Sequence, residues 1–189
     1  MKKRNFTLVE LLAVTALIVI LAGIGFAAFS YASNRGREAA TKSLITRIGA
    51  GLESMRIKNG TFPAAAAYGD IVVTVNASGL ITGISFSGTA LSAAQLKTFL
   101  TVCDGESLKK SLTLKSDSDY YLTDSWGGRI KYRSPGLVNT AKFDLVAPGP
   151  DEGFGVAAKD GKTEATMPAA LSEYRTNGEW ACDDIANFN

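Results

Sequence analysis

The chain contains no histidine. That absence removes Ser-His-Asp and Cys-His catalysis, and every His-based metal site, in one step. A basic surplus is missing too. Lys and Arg number 20 against 18 Asp and Glu, and three of the basic residues, Lys2, Lys3 and Arg4, fall in the first five positions. The remainder is balanced at 17 against 18. Such a balance gives no electrostatic footprint for nucleic acid, which is not expected as a partner. Asp and Glu are plentiful, but nothing in the sequence gathers them around a nucleophile and a base, so an enzyme is not expected. There is no internal repeat and no low-complexity tract. Cysteine is scarce, with Cys103 and Cys182 alone.

What is present begins at once. After Lys2, Lys3 and Arg4 comes an apolar run interrupted by one acid, Glu10. Leu11 to Phe29 holds 19 residues without a charge, about 28 Å as helix at 1.5 Å per residue. That length approaches the ~20 residues needed to cross a hydrocarbon core. It exceeds the 7–15 apolar residues of a secretory signal peptide. The basic patch before the span places the N-terminus in the cytoplasm and everything after about residue 30 outside. A carboxylate near the bilayer centre costs roughly 2.5–3.5 kcal/mol, so Glu10 asks for a partner charge.

The string Phe6-Thr7-Leu8-Val9-Glu10 behind a short basic leader resembles the N-terminus of a type IV prepilin. The resemblance implies cleavage by a prepilin peptidase between Asn5 and Phe6, N-methylation of Phe6, and pairing of Glu10 with the methylated amine of a neighbouring subunit. The family usually has Gly before the cut, where this chain has Asn5. A plain membrane anchor is the alternative; it leaves Glu10 without a purpose.

From Ser30 the composition turns polar, yet nothing stops a helix until Asn59-Gly60, with Pro63 beyond. Leu44, Ile48, Leu52 and Met55, with Ile45 beside them, form one apolar stripe at helical spacing. Arg37, Lys42, Arg47, Glu53 and Lys58 take the rest of the circumference. One helix from about Thr7 to Lys58 is expected, near 78 Å long, its second half needing a domain to cover the stripe. Gly23 and Gly25 read either as sites of close helix packing or as a weak point, Gly costing ~1 kcal/mol in a helix; the pilin family often has Pro in this region, and this chain has none.

A hairpin is expected from Ile71–Val75, a turn at Asn76–Gly79, and Leu80–Phe86. Ser92 with Gln95 reads as a capping box opening a helix to about Val102, whose Leu96, Phe99 and Leu100 face is core. From Tyr120 the pattern is β-like: Tyr120–Leu122, Arg129–Arg133 and Lys142–Val146, with a turn at Ser134-Pro135-Gly136. With the domain outside the cytoplasm, the two cysteines fit one disulfide; two buried thiols are the alternative. A bridge would close about 80 residues and contribute ~4 kcal/mol in the chain-entropy model.

The segment Lys58-Asn59-Gly60-Thr61-Phe62-Pro63 resembles the one that follows the long helix in type II secretion pseudopilins. The run Leu122-Thr123-Asp124-Ser125-Trp126-Gly127-Gly128-Arg129-Ile130-Lys131-Tyr132 resembles the major pseudopilin's Leu-x-Asp-Pro-Trp-Gly-x-Pro-Tyr-x-Tyr, with Ser125 and Arg129 at its proline positions. Phe143-Asp144-Leu145 and the closing Asp183-Asp184-Ile185-Ala186-Asn187-Phe188 have counterparts as well. The resemblance covers about 6–63, 120–155 and 183–188; the stretches 68–118 and 156–182 stand outside it. It implies a calcium-binding loop with the Pro148 carbonyl, Asp151, Asp183 and Asp184 as ligands, oxygen donors of the kind Ca²⁺ takes 6–8 of. A solvated acidic loop is the alternative.

The resulting expectation is an α+β pilin fold, a long N-terminal helix packed on a small antiparallel β-sheet with a C-terminal loop. Residues 1–5 form the leader, 6–29 the transmembrane and assembly helix, 30–59 its amphipathic half, and 60–189 the globular domain. The resemblance implies a type II secretion pseudopilus subunit held in the inner membrane by one span, its globular domain periplasmic. Its partners would be further copies in a helical filament, the prepilin peptidase, minor pseudopilins and the inner-membrane assembly platform. A type IV pilus subunit for adhesion, motility or DNA uptake, and a membrane-anchored extracytoplasmic protein, are the competing readings.

Overall fold

The computed structural model describes residues 8–151, 154, 175–176, 179–180 and 185–187. The first element, α1, is Leu8–Asn59, as the uninterrupted helical pattern predicts. Its end is chemical. Gly60 adopts φ +85°, open to glycine without a Cβ penalty, and donates its N–H to the Arg56 carbonyl at 2.7 Å, closing the last turn. The chain divides into two units, Met1–Gly36 and Arg37–Asn189. α1 begins in the first and ends in the second.

Within the second unit the predicted stripe is the centre of the core: Leu44, Ile45, Ile48, Leu52 and Met55 are all 3% exposed or less. Each buried side chain of this size removes enough apolar surface from water to contribute roughly 1.5–3 kcal/mol. The stripe packs with Phe99 and Cys103 of α2 (Ala93–Cys103) and with Phe143 at the entrance to β7 (Asp144–Ala147). Helix and partners approach closely at Gly51, where a Cβ would lie 2.6 Å from Cys103 Sγ and 2.8 Å from the Phe99 ring. A run of edge-on aromatic contacts continues the core, Phe99 to Phe86 at 5.6 Å and Phe86 to Tyr132 at 4.9 Å between centroids, the geometry aromatic quadrupoles favour.

The sheet is antiparallel and larger than expected, with eight strands among the described residues. Its path runs from β10 (Ile185–Ala186) through β7, β6 (Lys131–Ser134), β1 (Ala65–Val75) and β2 (Ile81–Phe86) to β3 (Thr89–Ala90). Off that path β1 also pairs β5 (Asp119–Leu122), which pairs β4 (Leu112–Ser116). β1 is the hub: Asp70 opposes Lys131 of β6, Val73 opposes both Ile84 of β2 and Tyr120 of β5. The stretch 68–118, set apart by the family resemblance, therefore supplies most of the hub strand, β2 to β4, α2 and the short α3 (Gly105–Lys109). It is integral to the sheet, which is why the sheet is not small. The predicted hairpin forms, and α2 opens on the predicted capping box: Gln95 N–H donates to Ser92 Oγ at 3.4 Å and Ser92 N–H to Gln95 Oε1 at 2.8 Å. A two-stranded ribbon, β8 (Arg175–Thr176) with β9 (Glu179–Trp180), completes the described elements.

Candidate functional site

In the first unit α1 is apolar around its whole circumference. All thirteen large apolar side chains from Leu8 to Phe29 are exposed, from 48% at Val14 to 77% at Leu8. A water-facing surface does not carry a contiguous apolar patch of this kind; it marks a membrane or protein contact. By length and composition the helix is able to cross a membrane. Glu10 stands in its first turn, where the positive end of the helix dipole favours a carboxylate. Val14, Leu17 and Leu21 follow on the same face at spacings of four, three and four. The one hydroxyl in the span, Thr15, donates to the Leu12 carbonyl at 3.0 Å, so it brings no unpaired polar group into an apolar surround. A Cβ at Gly23 or Gly25 would meet nothing within 4 Å. Asn5 and Phe6 lie outside the described residues.

The second unit's C-terminal motifs converge around two buried carboxylates. Asp124, 5% exposed, follows β5 and accepts three backbone bonds. Trp126 N–H and Gly128 N–H reach Oδ1 at 2.9 and 2.8 Å, and Gly149 N–H reaches Oδ2 at 3.1 Å. Burial pushes its carboxyl above the ordinary range, and the backbone donors only partly oppose this. Gly128 is required here, since a Cβ would collide with the Pro148 ring. Thr41 of α1 completes the arrangement, its hydroxyl donating to Ser125 Oγ at 3.1 Å and accepting from Ser125 N–H at 3.2 Å.

Asp144, wholly buried, organises the turn that carries the cis Ser134–Pro135 peptide. Oδ2 accepts from the Tyr68 hydroxyl at 2.9 Å and from Leu137 and Val138 N–H at 2.6 and 2.8 Å; Oδ1 accepts from Asn139 N–H at 2.9 Å. The last strand docks alongside. Ile185 opposes Ala147, and the Asn187 side chain accepts from Leu145 N–H at 2.9 Å and donates to the Phe143 carbonyl at 3.0 Å. The Phe143-Asp144-Leu145 and Ile185-Ala186-Asn187 motifs, 40 positions apart, are thus adjacent strands.

Pro148 is buried and leads into a 3₁₀ turn, Gly149–Asp151. Gly149 being tied to Asp124 fixes the backbone where the expected calcium loop begins, while Asp124 itself is engaged by N–H donors. The Asp151 side chain, Asp183 and Asp184 lie outside the described residues. Among the described residues no three His, Cys, Asp or Glu side chains gather to hold a metal ion. Cys103 is a free thiol. Its Sγ points at α1 and donates to the Arg47 carbonyl at 3.0 Å, and burial pushes the thiol up to about 12. Cys182, its expected partner in a disulfide, is outside the described residues. Sequence reasoning missed the roles of Asp124 and Asp144; the Asp-x-x-Gly-Gly spacing at Asp124 was the available signal for a side chain folding onto its own loop.

In comparison with known proteins, no family model, no curated protein and no solved structure matches the chain.

Proposed function

We propose that this protein is the structural subunit of a helical filament of the type IV pilin class, most similar to a type II secretion pseudopilin. It works by assembly and not by catalysis. The observation that carries the reading is Glu10, an acid in the first turn of a helix whose thirteen large apolar side chains up to Phe29 are all exposed. Two forces of different character then divide the work. Packing of apolar helices removes surface at roughly 25 cal/mol per Å² and is non-directional. The carboxylate supplies the register. Against a methylated amine on a neighbouring subunit, at ~4 Å and an effective dielectric of ~20, it gains about 4 kcal/mol, and it gains this at one axial offset only.

On this reading the leader 1–5 is removed by a prepilin peptidase, and Phe6 becomes the methylated N-terminus. The chain sits in the inner membrane by one span with its α+β unit in the periplasm. Minor pseudopilins and an inner-membrane platform assist its addition to the filament, and extension of the filament drives protein export across the outer membrane. The Trp126-Gly127 motif and the closing Ile185-Ala186-Asn187 motif support a secretion pseudopilus over a surface pilus, because both resemble the major pseudopilin's sequence. Calcium would be held after β7 by the Pro148 carbonyl with Asp151, Asp183 and Asp184.

Mass spectrometry of the protein isolated from cells tests the processing step. The reading expects a chain beginning at Phe6 and carrying one added methyl group. A mature chain that retains Met1 to Asn5 contradicts it.

A further inference from the structure

The end of the apolar run is as specific as its start. Phe29 is the last large apolar residue of the run that begins at Leu11, 73% exposed, and Tyr31 follows at 66%. Arg35 lies one helical turn beyond. Its side chain leans back toward the N-terminus, as helical side chains do, and its Nε donates to the Tyr31 hydroxyl at 3.2 Å with the guanidinium 5.5 Å from the ring centroid. The stacking sets a positive charge at the height of Tyr31, not at the height of its own Cα. An amphipathic phenol at the apolar boundary, carrying a fixed guanidinium, matches what a phospholipid headgroup offers: an apolar glycerol–acyl junction beside an anionic phosphate. Tyrosine belongs at that level because its ring is apolar and its hydroxyl wet.

The distance from Tyr31 to Glu10 matches the thickness of a membrane. Twenty-one residues separate Glu10 from Tyr31, about 31 Å along a helix, against a hydrocarbon core of about 30 Å. A helix anchored at Tyr31 has Glu10 at the other headgroup boundary, where a charge costs far less than at the bilayer centre.

We infer that Tyr31 and Arg35 form a contact for the phosphate of a glycerophospholipid, and that this contact fixes the depth of α1 so that Glu10 waits at the opposite headgroup boundary. The inference rests on the membrane-spanning reading of α1. The boundary position lowers the cost of placing the Glu10 carboxylate in the membrane, and a second helix packed over it strengthens a charge pairing there by excluding water.

The test uses the full chain in vesicles of phosphatidylethanolamine and phosphatidylglycerol, with single cysteines introduced as Phe29→Cys or Ser33→Cys in a background lacking Cys103 and Cys182. Reaction with a membrane-impermeant maleimide is timed for chains that face outward. The expected result is Phe29→Cys at least tenfold slower than Ser33→Cys. Adding Tyr31→Ala with Arg35→Gln should slow Ser33→Cys tenfold, because the helix slides by about a turn, and Tyr31→Trp should restore the boundary. A protection boundary unmoved by the double variant, in chains that float with the vesicles, overturns the inference alone. Chains that fail to float overturn the membrane reading beneath it.

Discussion

Asp124 and Gly149 are joined across 25 positions of chain by one hydrogen bond, Gly149 N–H to Asp124 Oδ2 at 3.1 Å. Through that bond the Trp126 loop after β5 and the turn after β7 become a single body, and Thr41 fastens the body to α1 through Ser125. The sheet's C-terminal end is thus held by a carboxylate and backbone amides, where loops have few apolar contacts of their own to order them.

Replacing Asp124 shows how much this holds. Asp124→Ala leaves three backbone donors without their acceptor, and a buried unsatisfied donor costs roughly 1–3 kcal/mol, so a loss of about 3 kcal/mol is expected in urea unfolding. The pH dependence has a definite sign. Burial raises the folded-state value above the ordinary 3.8, so between the two values the folded state holds more protons than the unfolded one. The contribution of this group is therefore fully present below the unfolded value and is lost as pH rises through the folded one. Urea midpoints of Asp124→Asn, followed from acid toward neutrality, should lack this decline; a decline as large as the parent's assigns it to another group.

Calcium provides a separate test of the loop after β7. An ion present at 100 times its dissociation constant and bound only by the folded state adds about 2.7 kcal/mol. For a domain of this size that is a rise of about 5–10 °C in melting temperature. Melting in calcium and in chelator should differ by this amount, and Asp151→Ala should abolish the difference. Equal midpoints rule out a structural ion.

Gly51 tests how α1 meets α2. An Ala there gains up to about 1 kcal/mol of helix propensity, yet its Cβ would sit 2.6 Å from Cys103 Sγ and 2.8 Å from Phe99. The ring is rigid and wholly buried, and overpacking typically costs about 1–3 kcal/mol. Gly51→Ala should therefore destabilise by about 1–2 kcal/mol in chemical unfolding, and Phe99→Leu in the same chain should recover part of the loss. A stabilised Gly51→Ala protein would show that the two helices do not approach this closely.

Cys103 should behave as a buried thiol. A thiol raised to about 12 leaves roughly a thousandfold less thiolate at pH 8 than an ordinary cysteine. Iodoacetamide should modify Cys103 at least a hundredfold more slowly in native protein than in denaturant, with no reductant present. A Cys103 that resists alkylation in denaturant until a reductant is added is a disulfide instead.

The parts of the fold that were legible in the sequence are those governed by local period and local capping. The stripe from Leu44 to Met55, the Ser92–Gln95 box and the Ile71–Phe86 hairpin each state their structure within about fifteen residues. The N-terminal half of β1 was not legible, because Ala65, Ala66 and Ala67 have little strand propensity and owe their conformation to β6 across the sheet. β4 was missed for the same reason; its exposed Thr113, Leu114 and Lys115 show no buried alternation. The two carboxylate-centred loops were beyond reach for another cause. A motif shows that Asp124 and Asp144 are present, while the amides they accept, Gly149 for one and Leu137 to Asn139 for the other, are ordinary backbone with no residue signature. At the other end of the chain Glu10 was legible from chemistry alone, since a lone acid in an apolar run asks for a counter-charge whatever the fold.

The proposed counter-charge on a neighbouring subunit is tested most directly at Glu10. The direct measurement is electron microscopy of filaments assembled by cells making Glu10→Ala in place of the parent chain, with membrane fractionation of the same cells. The account predicts that Glu10→Ala reaches the membrane at the parental level and forms no filaments, because the span keeps its apolar length and loses its register. Filaments of Glu10→Ala at the parental yield would contradict it.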